Sequence, residues 1–487
     1  MLEQLKPQKV FSYFEKICQI PHGSGNTKKI SDFIVSFAKE RGLDTYQDEY
    51  DNVIVYKPGV AAGKDKAPVI IQGHIDMVCE KNFETNSRFD FENDPLELRV
   101  MDDYIFAKGT TLGGDNGVAV AYMMALIDDN EHPMPPLECV FTADEEIGMI
   151  GANHLDFSKL TGKRLINVDN QTEGEFLTSC AGGQKSSCVV PVRFVERIGI
   201  KYDVVVCGLL GGHSGTEINK YRGNANLIMG RLLNYIGTKM YFDLITINGG
   251  LQDNAIPREC KAEILVNEAD TDKLEDLISE FEATMKNEYR KIETDLTVYC
   301  INNDELKTKV LTPKTKERVV FLLMTLPDGV QKMSPDDDRL VQTSCNIGII
   351  KMHKDSFEVI LSLRSSVKSE KEALSAKIQY LTETIGGKYI SSGAYPAWEY
   401  DEKAVLRNIF IEKYEALFNK KATVCGLHAG LETGIFFENI KGIDIAVVGP
   451  DVEDIHTPKE RLCVSSTERV WKLLTEVLSD LAIEKQV

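Results

Sequence analysis

Five short stations of acids, amides and histidines constrain this chain more than any other feature. They are Gly73-His74-Ile75-Asp76, Gly114-Asp115-Asn116-Gly117, Asp144-Glu145-Glu146, Asn167-Val168-Asp169 and Ile455-His456-Thr457. Each ends or follows an apolar segment that reads as a strand. Strands of this kind alternating with helical segments make an α/β sheet with helices on both faces. Open α/β sheets hold their ligands beyond the carboxyl ends of strands, and four of the five stations are expected there. Together they offer two imidazoles and three carboxylates, with Asp76 and Glu145 standing beside them. Oxygen and imidazole donors without a thiolate suit zinc, cobalt or manganese, and a pair of such ions makes a nucleophile from water at neutral pH.

Each station also has a plainer reading. His74 and Asp76, two apart in an extended segment, point to one side, so one can bind a metal while the other supports the imidazole from behind. Asp115 stands in a glycine-rich turn before an apolar helix, where it serves equally well as a helix cap or as a ligand that the glycines let close to an ion. Asp144-Glu145-Glu146 is a solvated turn unless cations compensate its charge. With metals nearby, Glu146 can ligate while Glu145 stays free as general acid and base. Asp169 and His456 taken singly are an ordinary loop acid and an ordinary loop histidine. The set is stronger than its parts, because all five close the same kind of segment.

At 487 residues the chain needs more than one core, and its 43% hydrophobic and 27% charged content is that of a soluble globular protein. Fifty-six Lys and Arg against 75 Asp and Glu leave a net charge of −19, which argues against nucleic acid as a partner. The N-terminal residues lack the basic-then-apolar pattern of an export signal, and the longest apolar run, 118–127, is about half of what a membrane span needs. Eleven scattered cysteines without a Cys-x-x-Cys pair suit reduced thiols in a cytoplasm. Cys79, close to His74, reads as a buried small hydrophobe rather than a ligand.

The pattern along the chain divides it in two. Residues 8–42 read as a helical opening broken at Pro21-His22-Gly23-Ser24-Gly25-Asn26. Strands come next at 52–56, 68–73, 137–142 and 164–168, with a buried helix at 116–129. From 184 to 398 the strands alternate in polarity, at 201–207, 240–247, 260–266 and 356–363, between charged helices such as 272–291 and 369–384. Such alternation marks antiparallel sheets. The α/β pattern then resumes with a helix at 403–419, a strand at 443–448 and a helix at 466–483. The expectation is an α/β fold: an open mixed-sheet domain built from 1–183 and 399–487, interrupted by an inserted α+β domain at 184–398 with two subdomains. A helical apolar stripe at 223–239 reads as core rather than subunit contact.

Longer motifs carry a resemblance. Gly73-His74-Ile75-Asp76-Met77-Val78-Cys79-Glu80-Lys81, Thr111-Leu112-Gly113-Gly114-Asp115-Asn116-Gly117, Asp144-Glu145-Glu146-Ile147-Gly148-Met149 and Cys180-Ala181-Gly182-Gly183 resemble the di-zinc exopeptidase family. Within it they are closest to the aminoacyl-histidine dipeptidase branch, the cytosolic non-specific dipeptidases or PepD. The similarity extends to Gly211-Gly212-His213-Ser214-Gly215, Asn254-Ala255-Ile256-Pro257-Arg258, Leu326-Pro327-Asp328-Gly329-Val330 and His428-Ala429-Gly430-Leu431-Glu432. The resemblance implies that His74 and Asp169 hold one metal, Glu146 and His456 the other, and Asp115 bridges both. It implies that Asp76 orients His74, that Glu145 is the general base, and that the Asp115–Asn116 peptide is cis. It makes the inserted domain a lid in which His213 stabilises the oxyanion, while Asn254, Arg364 and Gly430 bind the substrate backbone and carboxylate.

The sequence departs from the family in three places. Asp169 is followed by Asn170-Gln171-Thr172-Glu173 where a more acidic run is usual, Ser179 stands for a glycine, and Gly114 for an alanine. None removes a ligand. The expected function is a zinc (or cobalt or manganese) metallo-exopeptidase of the cytoplasm that hydrolyses Xaa-His and other dipeptides, with two divalent ions, a possible homodimer, and neither nucleic acid nor membrane as partner. The alternatives are an N-acyl amino acid amidohydrolase with the same metal centre, and a catalytically silent relative acting as a binding module.

Overall fold

A computed structural model describes residues 2–85 and 89–484. The chain forms two compact units: Met1–Ser179 with Glu399–Gly426 and Leu431–Val487, and Cys180–Trp398 with Leu427–Gly430.

The first unit is built on an eight-stranded mixed sheet. Its order is Asp44–Gln47, Val53–Lys57, Leu137–Thr142, Val69–His74, Arg164–Asn167, Asp444–Val447, Glu175–Cys180 and Thr423–Leu427. The four strands from Leu137–Thr142 to Asp444–Val447 run parallel, and Val53–Lys57 joins them antiparallel. Every residue of Val69–His74 and Leu137–Thr142 is buried. That is why their sequences are continuous apolar runs rather than alternating ones. The chain leaves Val69–His74 for the neighbour on one side, Leu137–Thr142, and then crosses to Arg164–Asn167 on the other. Such a reversal opens a crevice at the carboxyl ends.

The helix Gly114–Ile127 is buried at every position, as its almost wholly apolar sequence requires. It lies so close to Val69–His74 that a Cβ at Gly73 would sit 2.6 Å from the Ala119 methyl. The helix Gln8–Cys18 presses Phe14 onto it at Gly117. The closing helix Val464–Ile483 adds a stripe of Val470, Leu473, Leu474, Val477, Leu478 and Leu481 to the same core. A four-stranded antiparallel sheet of Val452–Glu453, Arg461–Cys463, Tyr104–Ala107 and Leu98–Met101 had no clear signal in the sequence. Its strands are two to four residues long. It fixes the turn that carries His456.

The second unit is a nine-stranded antiparallel sheet. Two groups of strands lie side by side in it. One contains Thr297–Leu311, Phe194–Cys207, Cys260–Val266 and Asp243–Gly249; the other contains Val341–Met352, Ser356–Ser365, Gly182–Pro191 and Lys388–Tyr395. Two residue pairs, Asn248 with Lys351 and Gly249 with Ile350, join them. Phe194–Cys207 alternates buried and half-buried positions along its second half. Its outward side chains form a charged lattice in which Lys201 reaches Glu263 at 3.0 Å and Lys261 reaches Asp203 at 2.9 Å. Helices Ala225–Lys239, Thr271–Glu288 and Pro313–Thr325 supply the apolar side of this unit's core. The stripe at Ala225, Ile228, Met229, Leu232 and Ile236 is therefore core. The long edge strand Thr297–Leu311 is mostly exposed and polar, which hid it from a reading of apolar runs.

The contact at Gly73 yields a test. Gly73→Ala is expected to force the helix Gly114–Ile127 off the sheet and to cost about 1–3 kcal/mol, the range for overpacked cores. A thermal midpoint equal to that of the parent protein would show that the helix does not bear on the strand.

Candidate metal centre

Three of the parallel strands deliver acids and an imidazole to one place. His74 is the last residue of Val69–His74, Asp144-Glu145-Glu146 follow Leu137–Thr142, and Asp169 follows Arg164–Asn167. Asp115 enters from the start of the buried helix. His456 is held by the Val452–Glu453 and Arg461–Cys463 hairpin, not by the end of the strand Asp444–Val447.

Asp115 stands at the middle. Its Oδ1 is 3.3 Å from His74 Nε2 and its Oδ2 is 3.6 Å from His456 Nε2. His74 Nε2 also lies 3.8 Å from Asp169 Oδ1, and His456 Nε2 lies 2.9 Å from Glu146 Oε1. Donor atoms of His74, Asp115 and Glu146 fall within 4.8 Å of one another. All five expected ligands thus converge, in two groups that share one carboxylate. The Asp115–Asn116 peptide is cis, as the resemblance implied. The capping alternative for Asp115 fails, since its carboxylate faces the two imidazoles instead.

Asp76 has more work than orienting His74. Its Oδ1 lies 3.3 Å from His74 Nδ1 and accepts a hydrogen bond from Glu145 N–H at 3.0 Å, while its Oδ2 accepts from Ser24 Oγ at 2.7 Å and Glu146 N–H at 3.3 Å. The glycine-rich loop at 21–26, read only as a break between helices, therefore buttresses the acid turn.

Two further carboxylates escaped the sequence reading. Glu460, 3% exposed, accepts hydrogen bonds from Leu112 N–H (2.8 Å) and Gly113 N–H (3.1 Å) on Oε2, and from Asp115 N–H (3.1 Å) on Oε1. Glu432 is fully buried beneath the site. It accepts from Thr142 Oγ1 at 2.7 Å and from Gln72 Nε2, and its Oε1 has no hydrogen-bond partner. Glu432 closes the motif His428-Ala429-Gly430-Leu431-Glu432 without a role having been given to it, and nothing in the sequence distinguished Glu460 from an ordinary loop acid.

The departures from the family pattern have local explanations. Glu173 is tied to Arg469 Nε at 2.7 Å, and Gln171 Nε2 donates to Asp115 Oδ2 at 3.3 Å. A Cβ at Gly114 would sit 3.2 Å from Val452 and 3.3 Å from Glu460 Oε1, so an alanine there would be tight. Cys79 is exposed, contrary to the buried position expected of it.

The electrostatics test whether cations fit. Seven carboxyl groups (Asp76, Asp115, Glu145, Glu146, Asp169, Glu432 and Glu460) accompany two imidazoles. Burial raises Glu145 to about 8, reinforced by the charges of Glu432, Glu146 and Asp115 against the pull of His74. Asp169 is driven well above the carboxylate range by burial, with Asp115 and Glu145 adding to it. His456 is lifted to about 10 by its contacts with Asp115 and Glu146. His74 rises despite burial through Asp115 and Asp76. A cluster that must protonate its own acids and imidazoles is one that divalent cations relieve. The donor set fits two such ions: His74, Asp169 and Asp115 for one, His456, Glu146 and Asp115 for the other.

The second unit assembles its own cluster. His213 lies on the two-residue strand Gly212–His213, paired with Ala255–Ile256 beside Asn254. Asn254 accepts from Ser214 N–H at 2.8 Å through its carbonyl. His213 Nδ1 accepts from Thr216 N–H at 3.2 Å. Burial and the charge of Arg364 keep this imidazole neutral. Arg364, 7% exposed, donates from Nη1 to Tyr395 OH at 2.9 Å, has Nη2 3.5 Å from His213 Nε2, and has no acceptor at Nε. His428, not singled out from the sequence, bonds Ser344 Oγ through Nε2 at 2.7 Å and is lowered to about 3 by burial and Arg364. Gly430 lies two residues on in the same short segment.

Comparisons with known proteins agree with this geometry. A domain family described as the peptidase dimerisation domain of M20 matches residues 205–293. The cytosol non-specific dipeptidase of Escherichia coli (strain K12) is 35% identical over 489 residues, covering 99% of each chain. The crystal structure of the aminoacylhistidine dipeptidase of Vibrio alginolyticus superposes with a TM-score of 0.90 at 33% identity, over 100% of this chain and 99% of that one. The aminopeptidase PepT of Bacillus cereus shares the fold at 14% identity, with a TM-score of 0.57 over 98% and 99% of the two chains.

Glu432 offers a test of the site's anion surplus. Burial pushes its carboxyl up to about 7 from 4.5. Below pH 4.5 it is protonated whether folded or unfolded and costs nothing. As pH rises to 7 the unfolded chain ionises first, so folding loses about 3 kcal/mol, and above 7 the deficit is constant. Metal-free Glu432→Gln is therefore expected to gain on the parent protein between pH 4.5 and 7.5 in urea-unfolding midpoints. An equal gap at both pH values would refute a buried, destabilising acid.

Proposed function

We propose that this chain, which belongs to the M20 peptidase family of the Escherichia coli cytosol non-specific dipeptidase, is a metal-dependent dipeptidase. The observation that carries this reading is Asp115, whose two carboxylate oxygens address imidazoles from segments more than three hundred residues apart. Two divalent ions, zinc by the chemistry of the donors with cobalt or manganese as substitutes, would be held by His74, Asp115, Glu146, Asp169 and His456. When bound they supply a lowered pKa for water and charge for a polarised carbonyl.

The protein's own groups do the rest. Glu145, whose backbone is pinned by Asp76 but whose carboxylate ligates nothing, takes a proton from the attacking water. It returns that proton to the amine nitrogen as the peptide C–N bond breaks. His213 stands beside Arg364, and its imidazole stabilises the developing oxyanion. Arg364 is a buried guanidinium without a carboxylate partner among the described residues, and its planar fork suits the terminal carboxylate of a dipeptide. Asn254 and the backbone at Gly430 take the rest of the substrate's main chain. In this reading residues 1–183 and 399–487 form the catalytic domain, and 184–398 act as a lid. The preference includes Xaa-His dipeptides, the protein works in the cytoplasm, and the dimerisation domain pairs two copies. No helix among the described residues is long and apolar enough to cross a membrane.

Two measurements test this. Glu145→Gln is expected to lower kcat on dipeptides by about 10²–10⁴-fold, the usual share of a positioned acid–base group, while metal analysis still finds both ions. Near-normal turnover in that variant sinks the role of Glu145. Chelation is expected to abolish hydrolysis, and zinc, cobalt or manganese to restore it. Dipeptide hydrolysis by a protein shown to be metal-free would end the metal-dependent reading.

A further inference from the structure

The start of a helix leaves backbone N–H groups without partners inside the helix, and a nearby Asp is among the commonest residues to satisfy them. Asp115 stands at such a start, yet its side chain is turned to His74 and His456 and caps nothing. The N–H groups of Leu112 and Gly113, in the turn that leads into the helix, and of Asp115 in its first turn are taken by Glu460, which reaches them from a segment 345 to 348 residues away in sequence. Glu460 comes four residues after His456 and sits at the foot of the same hairpin.

We infer that Glu460 is a positioning residue: by accepting the N–H groups of the Leu112–Asp115 turn, it fixes the backbone that aims the Asp115 carboxylate at His74 and His456 and ties that turn to the segment that carries His456. The geometry leaves little room for another arrangement. Gly113 takes a left-handed conformation (φ 68°) that bends the chain around the carboxylate. A Cβ on Gly114 would meet Glu460 Oε1 at 3.3 Å. The inference rests on the two-cation reading of the site and adds to it a residue that ligates nothing.

Glu460→Gln is nearly isosteric and tests it directly. Its one remaining oxygen can still serve Leu112 and Gly113, but an NH2 then faces the Asp115 N–H. Metal-free parent and variant would be titrated with cobalt(II) and zinc in buffered free-ion solutions, with the cobalt spectrum followed and amide hydrogen exchange measured over 112–116. The expected result is an affinity about 10- to 100-fold weaker for both ions, the usual effect of losing an outer support of a ligand, with faster exchange at Asp115. Turnover should recover at saturating metal with KM unchanged. Glu460→Ala, measured the same way, should weaken binding at least as much. Parent affinities in both variants, even with a lowered thermal midpoint, would overturn the inference. Failure of the parent protein itself to bind two ions would instead overturn the two-cation reading.

Discussion

Mutual repulsion among buried carboxylates is the constraint on which the rest of the first unit depends. Parallel strands Leu137–Thr142, Val69–His74 and Arg164–Asn167 end together, so the residues just beyond their carboxyl ends are forced into one crevice. Those residues are mostly anionic. Each acid is made tolerable in a different way. Asp76 is held ionised by His74, Ser24 and two backbone N–H groups. Asp115 is kept below the usual carboxylate range, despite burial, by the two imidazoles. Asp169 and Glu145 are left to rise. Those two are the measure of what the protein alone cannot neutralise, and cations of charge two are the economical remedy.

The centre is also uneven. The His74 side chain is 1% exposed, and that of His456 is 45% exposed. The first pole is sealed by the sheet, by the helix Gly114–Ile127 and by the polar layer of Gln72, Thr142, Asn167 and Glu432 beneath it. That layer is satisfied internally, Asn167 Nδ2 donating to Gln72 Oε1 at 2.6 Å and Gln72 Nε2 to Thr142 Oγ1 at 3.0 Å, apart from one oxygen of Glu432 and one of Asn167. The second pole rests on a hairpin at the surface. Exchange with solvent is therefore through the His456 side, and rigidity comes from the His74 side. A water-activating site benefits from both, since ligand geometry must be fixed while the reacting face stays accessible.

Legibility in the sequence tracked burial. Strands such as Leu137–Thr142 and the helix Gly114–Ile127 are apolar throughout because both faces are covered, so continuous runs exposed them. His74, Asp115, Glu146 and Asp169 stood out as candidates because each closes such a run or opens such a helix, whereas His456, on a surface hairpin, stood out only through the resemblance. The elements that escaped reading have the opposite character. The two-residue strand Val452–Glu453 has no period to detect. Thr297–Leu311 is an edge strand held by pairing with Phe194–Cys207 rather than by burial. Glu460 and Glu432 act through contacts with segments hundreds of residues away, and a single acid in a loop looks the same whether it meets water or three backbone N–H groups. Cys79 was expected inside because cysteines usually are, yet the strand ends at His74 and the chain has reached the surface five residues later.

The two units present opposite chemical needs. In the first, carboxylates outnumber cationic groups and ask for divalent cations. In the second, Arg364 is a buried cation whose neighbours cannot balance it: His213 and His428 are kept neutral, Tyr395 contributes only a hydroxyl, and Nε is left without an acceptor. A buried guanidinium in this state is costly unless a ligand supplies the anion. The protein thus tolerates an imbalance of each sign, anionic around Asp115 in the first unit and cationic at Arg364 in the second.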